Sequence, residues 1–156
     1  MLRAKTSRPT FAAEGLRFAI VAGRYNQRYT DALVRHATRA LRLAGAARSD
    51  IRVIRVPGAF EIPVVVSRLA SSGGCDAIIA LGVIIRGETA HADLIGTEIT
   101  RSLGSIALRE SLPVIHEVLL LNNEQQAHAR CLDAKHNRGT EAALTAIEMA
   151  RLLKEI

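Results

Sequence analysis

Aromatic side chains are scarce in this chain: no tryptophan, two tyrosines and three phenylalanines, 3% of 156 residues. Single-stranded nucleic acids are held largely on stacked aromatic platforms, and these are missing here. Blocks of basic residues are missing too. The net charge of +6 and the pI of about 10.1 point to anionic partners. Yet the arginines stand singly, at Arg24, Arg28, Arg35, Arg39, Arg42 and Arg48, so no nucleic-acid partner is expected. Only two cysteines occur, Cys75 and Cys131, far apart and in no metal-type spacing. That excludes a disulfide framework and suits a reducing compartment. The longest apolar stretch, Ala77 to Leu81 with Val83 to Ile85, is too short to span a bilayer. Residues 1–15 carry Arg3, Lys5 and Arg8 but no apolar run of signal-peptide length. The expected setting is the cytoplasm, away from membranes.

Several site signatures are also lacking. No G-x-G-x-x-G follows the first apolar run and no G-x-x-x-x-G-K-[ST] occurs, which argues against dinucleotide and P-loop sites. There is no G-x-S-x-G nucleophile elbow. No aspartate ends the central strand as a receiver phosphoacceptor would require, and Arg24-Tyr25-Asn26-Gln27 is no flavodoxin-type phosphate loop. His36, His116 and His136 show no i,i+4 pairing with a carboxylate or another histidine, and His128 has only Glu124, too few ligands for a site, so no metal is expected.

What is present is a strand–helix alternation. At 49% hydrophobic and 23% charged residues the chain is of globular composition, and its length suits one domain: an N-terminal arm over 1–15 and an α/β core over 16–156. Phe18 to Ala22 reads as a strand buried on both faces. Thr30 to Ala44 has Leu33, Ala37, Leu41 and Ala44 at helical spacing and stops at Gly45. Ile51 to Val56 reads as a second strand, ended by Pro57-Gly58. Ile62, Val65, Val66 and Leu69 mark a helix that stops before Gly73-Gly74. Ala77 to Ile85 is the most apolar strand and hence central. Ile95, Ile99, Leu103 and Ile106 mark a third helix, Pro113 to Leu121 a fourth strand, Glu124 to Leu132 a short helix and Thr140 to Leu153 a long one. Four buried strands alternating with helices predict a three-layer α/β/α fold around a four-stranded parallel sheet.

In such sheets ligands bind outside the carboxyl ends of the strands. Unusual residues gather there: Arg24-Tyr25-Asn26, Pro57-Gly58-Ala59-Phe60-Glu61, Arg86-Gly87-Glu88-Thr89-Ala90-His91 and Asn122-Asn123. In the third turn the amides of Gly87, Glu88 and Thr89 precede a helix, where free N–H groups and the dipole favour an anion. The same residues also fit a plain strand-to-helix turn with Thr89 as cap. His91 is placed to act as a general base near neutral pH, or is simply a surface or capping residue. Asp93 is a candidate to orient it. Arg130 suits bidentate phosphate binding, although a single arginine on a helix is ordinarily solvated. Lys135, Arg138 and Glu141 read as helix-end charges.

The segments Arg24-Tyr25-Asn26, Val56-Pro57-Gly58-Ala59-Phe60-Glu61-Ile62-Pro63, Leu81-Gly82-Val83-Ile84-Ile85-Arg86-Gly87-Glu88-Thr89-Ala90-His91 and Asn137-Arg138-Gly139 together resemble the lumazine synthase family. This enzyme is the penultimate one of riboflavin biosynthesis, and the likeness covers roughly Arg17 to Leu153. It implies a flavodoxin-like fold, with the sheet open to extension by a neighbour's N-terminal segment. It also implies condensation of 5-amino-6-(D-ribitylamino)uracil with 3,4-dihydroxy-2-butanone 4-phosphate, giving 6,7-dimethyl-8-ribityllumazine, phosphate and water, without cofactor or metal. By the same likeness Tyr25, beside Asn26, replaces an aromatic that stacks on the pyrimidine. Ala59, Phe60 and Glu61 line the ribityl and pyrimidine site, and Val83, Ile84 and Ile85 form its other wall. Gly87, Glu88 and Thr89 cradle the phosphate, and His91 transfers protons. Arg130 and His116 reach in from another subunit of a homo-oligomer, a pentamer or a multiple of pentamers. The chain departs from the family at His116, where an aromatic or apolar residue is usual, and at Ala92 and Leu94, which replace bulkier aromatics. Two competing readings are a non-catalytic relative that binds a pteridine or flavin, and a general anion- or nucleotide-binding module. The presence of His91, Thr89 and Arg130 together favours the enzyme.

Overall fold

The computed structural model describes residues 12–156. Four strands, β1 (Phe18–Gly23), β2 (Ile51–Val56), β3 (Ala77–Ile85) and β4 (Val114–Leu121), form one sheet in the order β2-β1-β3-β4, and every pairing is parallel. Five α-helices connect and cover them: α1 (Gln27–Leu43), α2 (Ile62–Ser72), α3 (His91–Glu110), α4 (Glu124–Ala127) and α5 (Arg138–Glu155). The chain goes outward from β1 to β2, returns past β1 to β3, and then proceeds to β4. The direction of the strand order therefore reverses between β1 and β3, and a crevice opens at their carboxyl ends.

Side-chain alternation builds two cores. Phe18, Ile20 and Ala22 of β1 and Ala77, Ile79, Leu81 and Val83 of β3 point toward α1 and α5. Ala19 and Val21 with Ile78 and Ala80 point toward α2 and α3. Both faces are covered, so β1 and β3 read as continuous apolar runs without a polar side. The α1–α5 contact is made close by small residues, among them Ala37 and Ala40 against Ala142, Ala143 and Ala146.

The ends of the helices follow local chemistry. Pro63 lies in the first turn of α2, where a missing N–H costs nothing. Gly73 ends that helix at φ 71°, the left-handed conformation that glycine adopts without a Cβ penalty. Asn137 caps α5, its side chain accepting from the amides of Gly139 and Thr140.

Some elements differ from the sequence expectation. β2 is an edge strand with Arg52 and Val53 exposed, not a buried one. Arginines on an edge protect it from unwanted pairing. α1 begins at Gln27 and not Thr30, because its first turn is polar and leaves no periodic mark. α3 begins at His91, well before Ile95. The expected helix over 124–132 divides into α4 and a single π-helical turn, His128–Leu132. α5 is longer than expected at both ends. Most of the expected arm over 1–15, and with it any strand donated by a neighbour's N-terminal segment, lies outside the described residues. Its end is anchored: Ala13 is buried and donates to Ala44 O at 2.8 Å, and Arg151 donates to the carbonyls of Ala12 and Glu14.

Candidate active site

The turns leaving β1, β2 and β3 converge on one cleft of about 450 Å³ at the reversal point. From the β1 turn come Tyr25 and Asn26. From the β2 turn come Gly58, Ala59, Phe60 and Glu61. The end of β3 and the turn beyond it add Val83, Ile84, Ile85, Gly87 and Thr89, and the first turns of α3 add His91, Ala92 and Ile95.

The β1 and β2 turns are locked together. Arg24 N donates to Val56 O at 2.8 Å and Tyr25 N to Pro57 O at 3.1 Å, which carries strand pairing past the strand ends. A side chain on Gly23 would press on the Gly58 carbonyl carbon at 3.3 Å, so the two turns meet backbone to backbone. Asn26 adopts the left-handed conformation at φ 56°, which asparagine tolerates better than most residues. Its Nδ2 donates to Val83 O at 2.8 Å, tying the β1 turn to the wall formed by β3. Glu61 accepts from the Gly58 amide at 2.9 Å and so closes the β2 turn on itself. Tyr25 and Phe60, 75% and 57% exposed, stand at the mouth of the cleft, where flat ligands can stack on them.

The β3–α3 turn is different. Among the described residues, the backbone N–H groups of Gly87, Glu88 and Thr89 have no protein acceptor. They precede the first turn of a 20-residue helix, where unpaired amides and the helix dipole attract anions. Thr89 is not the cap expected of it: Ala90 is the N-cap of α3, without a side-chain cap bond, and the Thr89 hydroxyl one residue earlier accepts from the His91 amide at 3.4 Å. His91 opens α3 with its side chain at the cleft.

Asp93 does not orient His91. It accepts from Arg86, at 2.6 Å from Nη2 and 3.2 Å from Nε. This hydrogen bond holds the Asp93 carboxyl below its ordinary range.

Three expected site residues are not on the cleft of the single chain. Glu88 is on the turn but outside the lining. Arg130 is exposed on the π-helical turn. His116 lies mid-strand on β4, level with Ala80. Its Nδ1 accepts from Val118 N at 3.1 Å, and its Nε2 lies 2.8 Å from the Thr100 hydroxyl, which donates to Gly96 O. This pattern assigns a neutral ring with the proton on Nε2, and burial holds its pKa below the ordinary 6.5. Nor are Arg138 and Glu141 merely helix-end charges. Arg138 bridges Glu141 and the buried Glu117 of β4.

Two lining residues lie outside the sequence expectation, Ala92 and Ile95, and Gly58 enters it only as part of the strand-end turn. Ile95 has a legible signal, being one helical turn after His91 on the same face. Cys131 is fully buried, and burial pushes its thiol up to about 12, which removes it as a nucleophile. Among the described residues no three His, Cys, Asp or Glu side chains gather as a metal site, and no helix is long and apolar enough to cross a membrane. A family model described as 6,7-dimethyl-8-ribityllumazine synthase matches residues 15–154.

Proposed function

Since the chain belongs to the 6,7-dimethyl-8-ribityllumazine synthase family, whose members are transferases of riboflavin biosynthesis, we propose that it condenses 5-amino-6-(D-ribitylamino)uracil with 3,4-dihydroxy-2-butanone 4-phosphate. One observation carries this reading. A stacking pair, an apolar wall, a turn of free amides and a histidine all border one cleft.

The pyrimidine has a place between the exposed rings of Tyr25 and Phe60 and the wall of Val83, Ile84 and Ile85, with Asn26, Ala59 and Glu61 beside it. The phosphate has a place on the amides of Gly87, Glu88 and Thr89. In the reaction the amine of the uracil attacks the ketone, phosphate leaves, and the ring closes with loss of two waters. Holding two substrates together removes much of the entropic barrier. The amide turn stabilises the departing anion. His91, between the two places, is positioned to take the proton from the attacking amine and return it to the departing oxygen, a contribution of about 10²–10⁴-fold.

The family forms oligomers, and the site is read as shared between subunits of a pentamer or of several pentamers. Arg130 and His116 of a neighbouring subunit then complete it, and the cytoplasm is its proposed location. Mixing the purified protein with both substrates tests the reading: fluorescent lumazine should accumulate. Tight binding of product without any rate above the uncatalysed reaction would leave a pteridine binder and end the enzyme claim.

A further inference from the structure

Arg86 is the cation nearest in sequence to the proposed phosphate turn, and its guanidinium is already engaged. Nε and Nη2 donate to Asp93 Oδ1 at 3.2 and 2.6 Å, and Nη1 donates to Asn122 Oδ1. Its backbone amide donates to Leu121 O at 2.8 Å, which extends the β3–β4 pairing by one residue. Asn122 is held in turn, its amide donating to Gln126 Oε1 at 2.8 Å. One side chain therefore links three places: the exit of β3, the first turn of α3 and the turn that leaves β4.

Between Arg86 and Asp93 lie Gly87, Thr89 and His91, all on the cleft. With the amides of residues 87–89 free, this stretch has only the 3.4 Å bond from the His91 amide to the Thr89 hydroxyl inside it, and a side chain on Gly87 would meet nothing within 4 Å. The stretch is secured at its two ends, and Arg86 joins them.

We propose that Arg86 is a positioning residue that holds the 87–91 turn in its anion-binding shape through Asp93 and Asn122, and does not itself bind the phosphate. This rests on the synthase reading of the cleft. The competing role, direct contact of the guanidinium with phosphate, makes the opposite prediction at Asp93. Removing the carboxylate would then free a cation for the substrate and tighten binding.

The test compares Arg86→Met, Asp93→Ala and the double variant with the parent, with the KM of each substrate measured separately. Arg86→Met keeps the apolar stem and removes the donors. If Arg86 positions the turn, both single variants raise the KM of the phosphorylated ketone by roughly tenfold. The KM of the uracil stays within about twofold, and the double variant is no worse than the poorer single one. Amide hydrogen exchange at Arg86, His91 and Leu94, whose amides are bonded at the two ends of the turn, accelerates in both single variants. An unchanged or lowered ketone KM in Asp93→Ala beside a raised one in Arg86→Met overturns the proposal, as do additive losses in the double variant. If Arg86→Met does not fold, Asn122→Ala takes its place in the comparison. If the parent protein makes no lumazine, the functional reading has failed, and the exchange measurement still decides the positioning role: unaltered rates at Arg86, His91 and Leu94 refute it.

Discussion

Gly139 and Gly104 both lie in helices, and the same substitution to alanine should move them in opposite directions. In an exposed helix interior, replacing glycine with alanine stabilises by about 0.5–1 kcal/mol, because glycine gives up more backbone freedom on folding. Gly104 is such a site: exposed, within α3, with nothing within 4 Å of the point where a methyl group would stand. Gly139 is not. There a Cβ would stand well inside contact distance of the Leu33 carbonyl oxygen and 3.0 Å from both the Leu33 carbonyl carbon and Asn137 Oδ1. The Leu33 atoms are backbone of α1, so no rotamer change relieves the clash and α5 must move away. Overpacking of this kind costs about 1–3 kcal/mol. Disturbing the Asn137 cap adds about 1 kcal/mol, and the gain in helix propensity offsets up to about 1 kcal/mol. With the full offset the net loss is about 1–3 kcal/mol, or roughly 2–12 °C in melting temperature for a chain of this size. Gly104→Ala should instead raise the midpoint by roughly 1–4 °C. Thermal unfolding followed by circular dichroism, on both variants at equal concentration, reads the two shifts. A Gly139→Ala protein melting at or above the parent would refute the close approach of α5 to α1.

His91→Ala should lower kcat by about 10²–10⁴-fold and leave the KM of the phosphorylated ketone nearly unchanged. Arg130→Ala should chiefly raise that KM, and steady-state kinetics showing the same pattern in both would undo the assigned roles. His116 supplies a pH test. Its folded pKa lies below 6.5 because partial burial disfavours the charged ring, so the unfolded chain binds the extra proton first. Its contribution to stability is full above pH 6.5 and is lost as pH falls from 6.5 through the lower folded value. The melting temperature of the parent should therefore drop over that window more than that of His116→Asn, which retains an acceptor near Val118 N. Glu117, raised by burial, acts in the opposite sense above its ordinary 4.5, so the difference between the two proteins is the quantity to read. Parallel curves would show that the ring titrates alike in both states.

The two interior strands are legible in the sequence for a physical reason. β1 and β3 are covered on both faces, so their residues form unbroken apolar runs that no solvent-facing position interrupts. β2 is legible along the chain but not within the sheet. Its pattern of arginines records an edge, a fact set by strand order, which lies beyond the reach of local pattern. Helix starts at the cleft are the least visible. His91 begins a helix whose first turns border the cleft, and α1 begins with the exposed Gln27 and Arg28, whereas hydrophobic periodicity reports only the core. The π-helical turn after Ala127 has no signature in spacing. The strand-end rule finds the three turns of the cleft without any family likeness. It has no means of pairing Arg86 with Asn122, which lies 36 residues away, and so it sets Asp93 beside the wrong neighbour. The places of Arg130 and His116 in a neighbour's site come from the family likeness alone, and in one chain both stand apart from the cleft.

The Asn26 side chain crosses from the β1 turn to the Val83 carbonyl, whereas among the described residues no comparable crossing fastens the 87–89 amides. The cleft is thus rigid on one side and adjustable on the other. In the history of such a protein these two sides carry different freedoms. Under the proposed function, substitutions in the turn beyond β3 retune the grip on the anionic substrate while the platform for the flat ring stays as it was. Substitutions at Asn26 disturb the ring platform and the β3 wall at once. Variation among descendants of this chain should therefore be tolerated unevenly across a single small cavity.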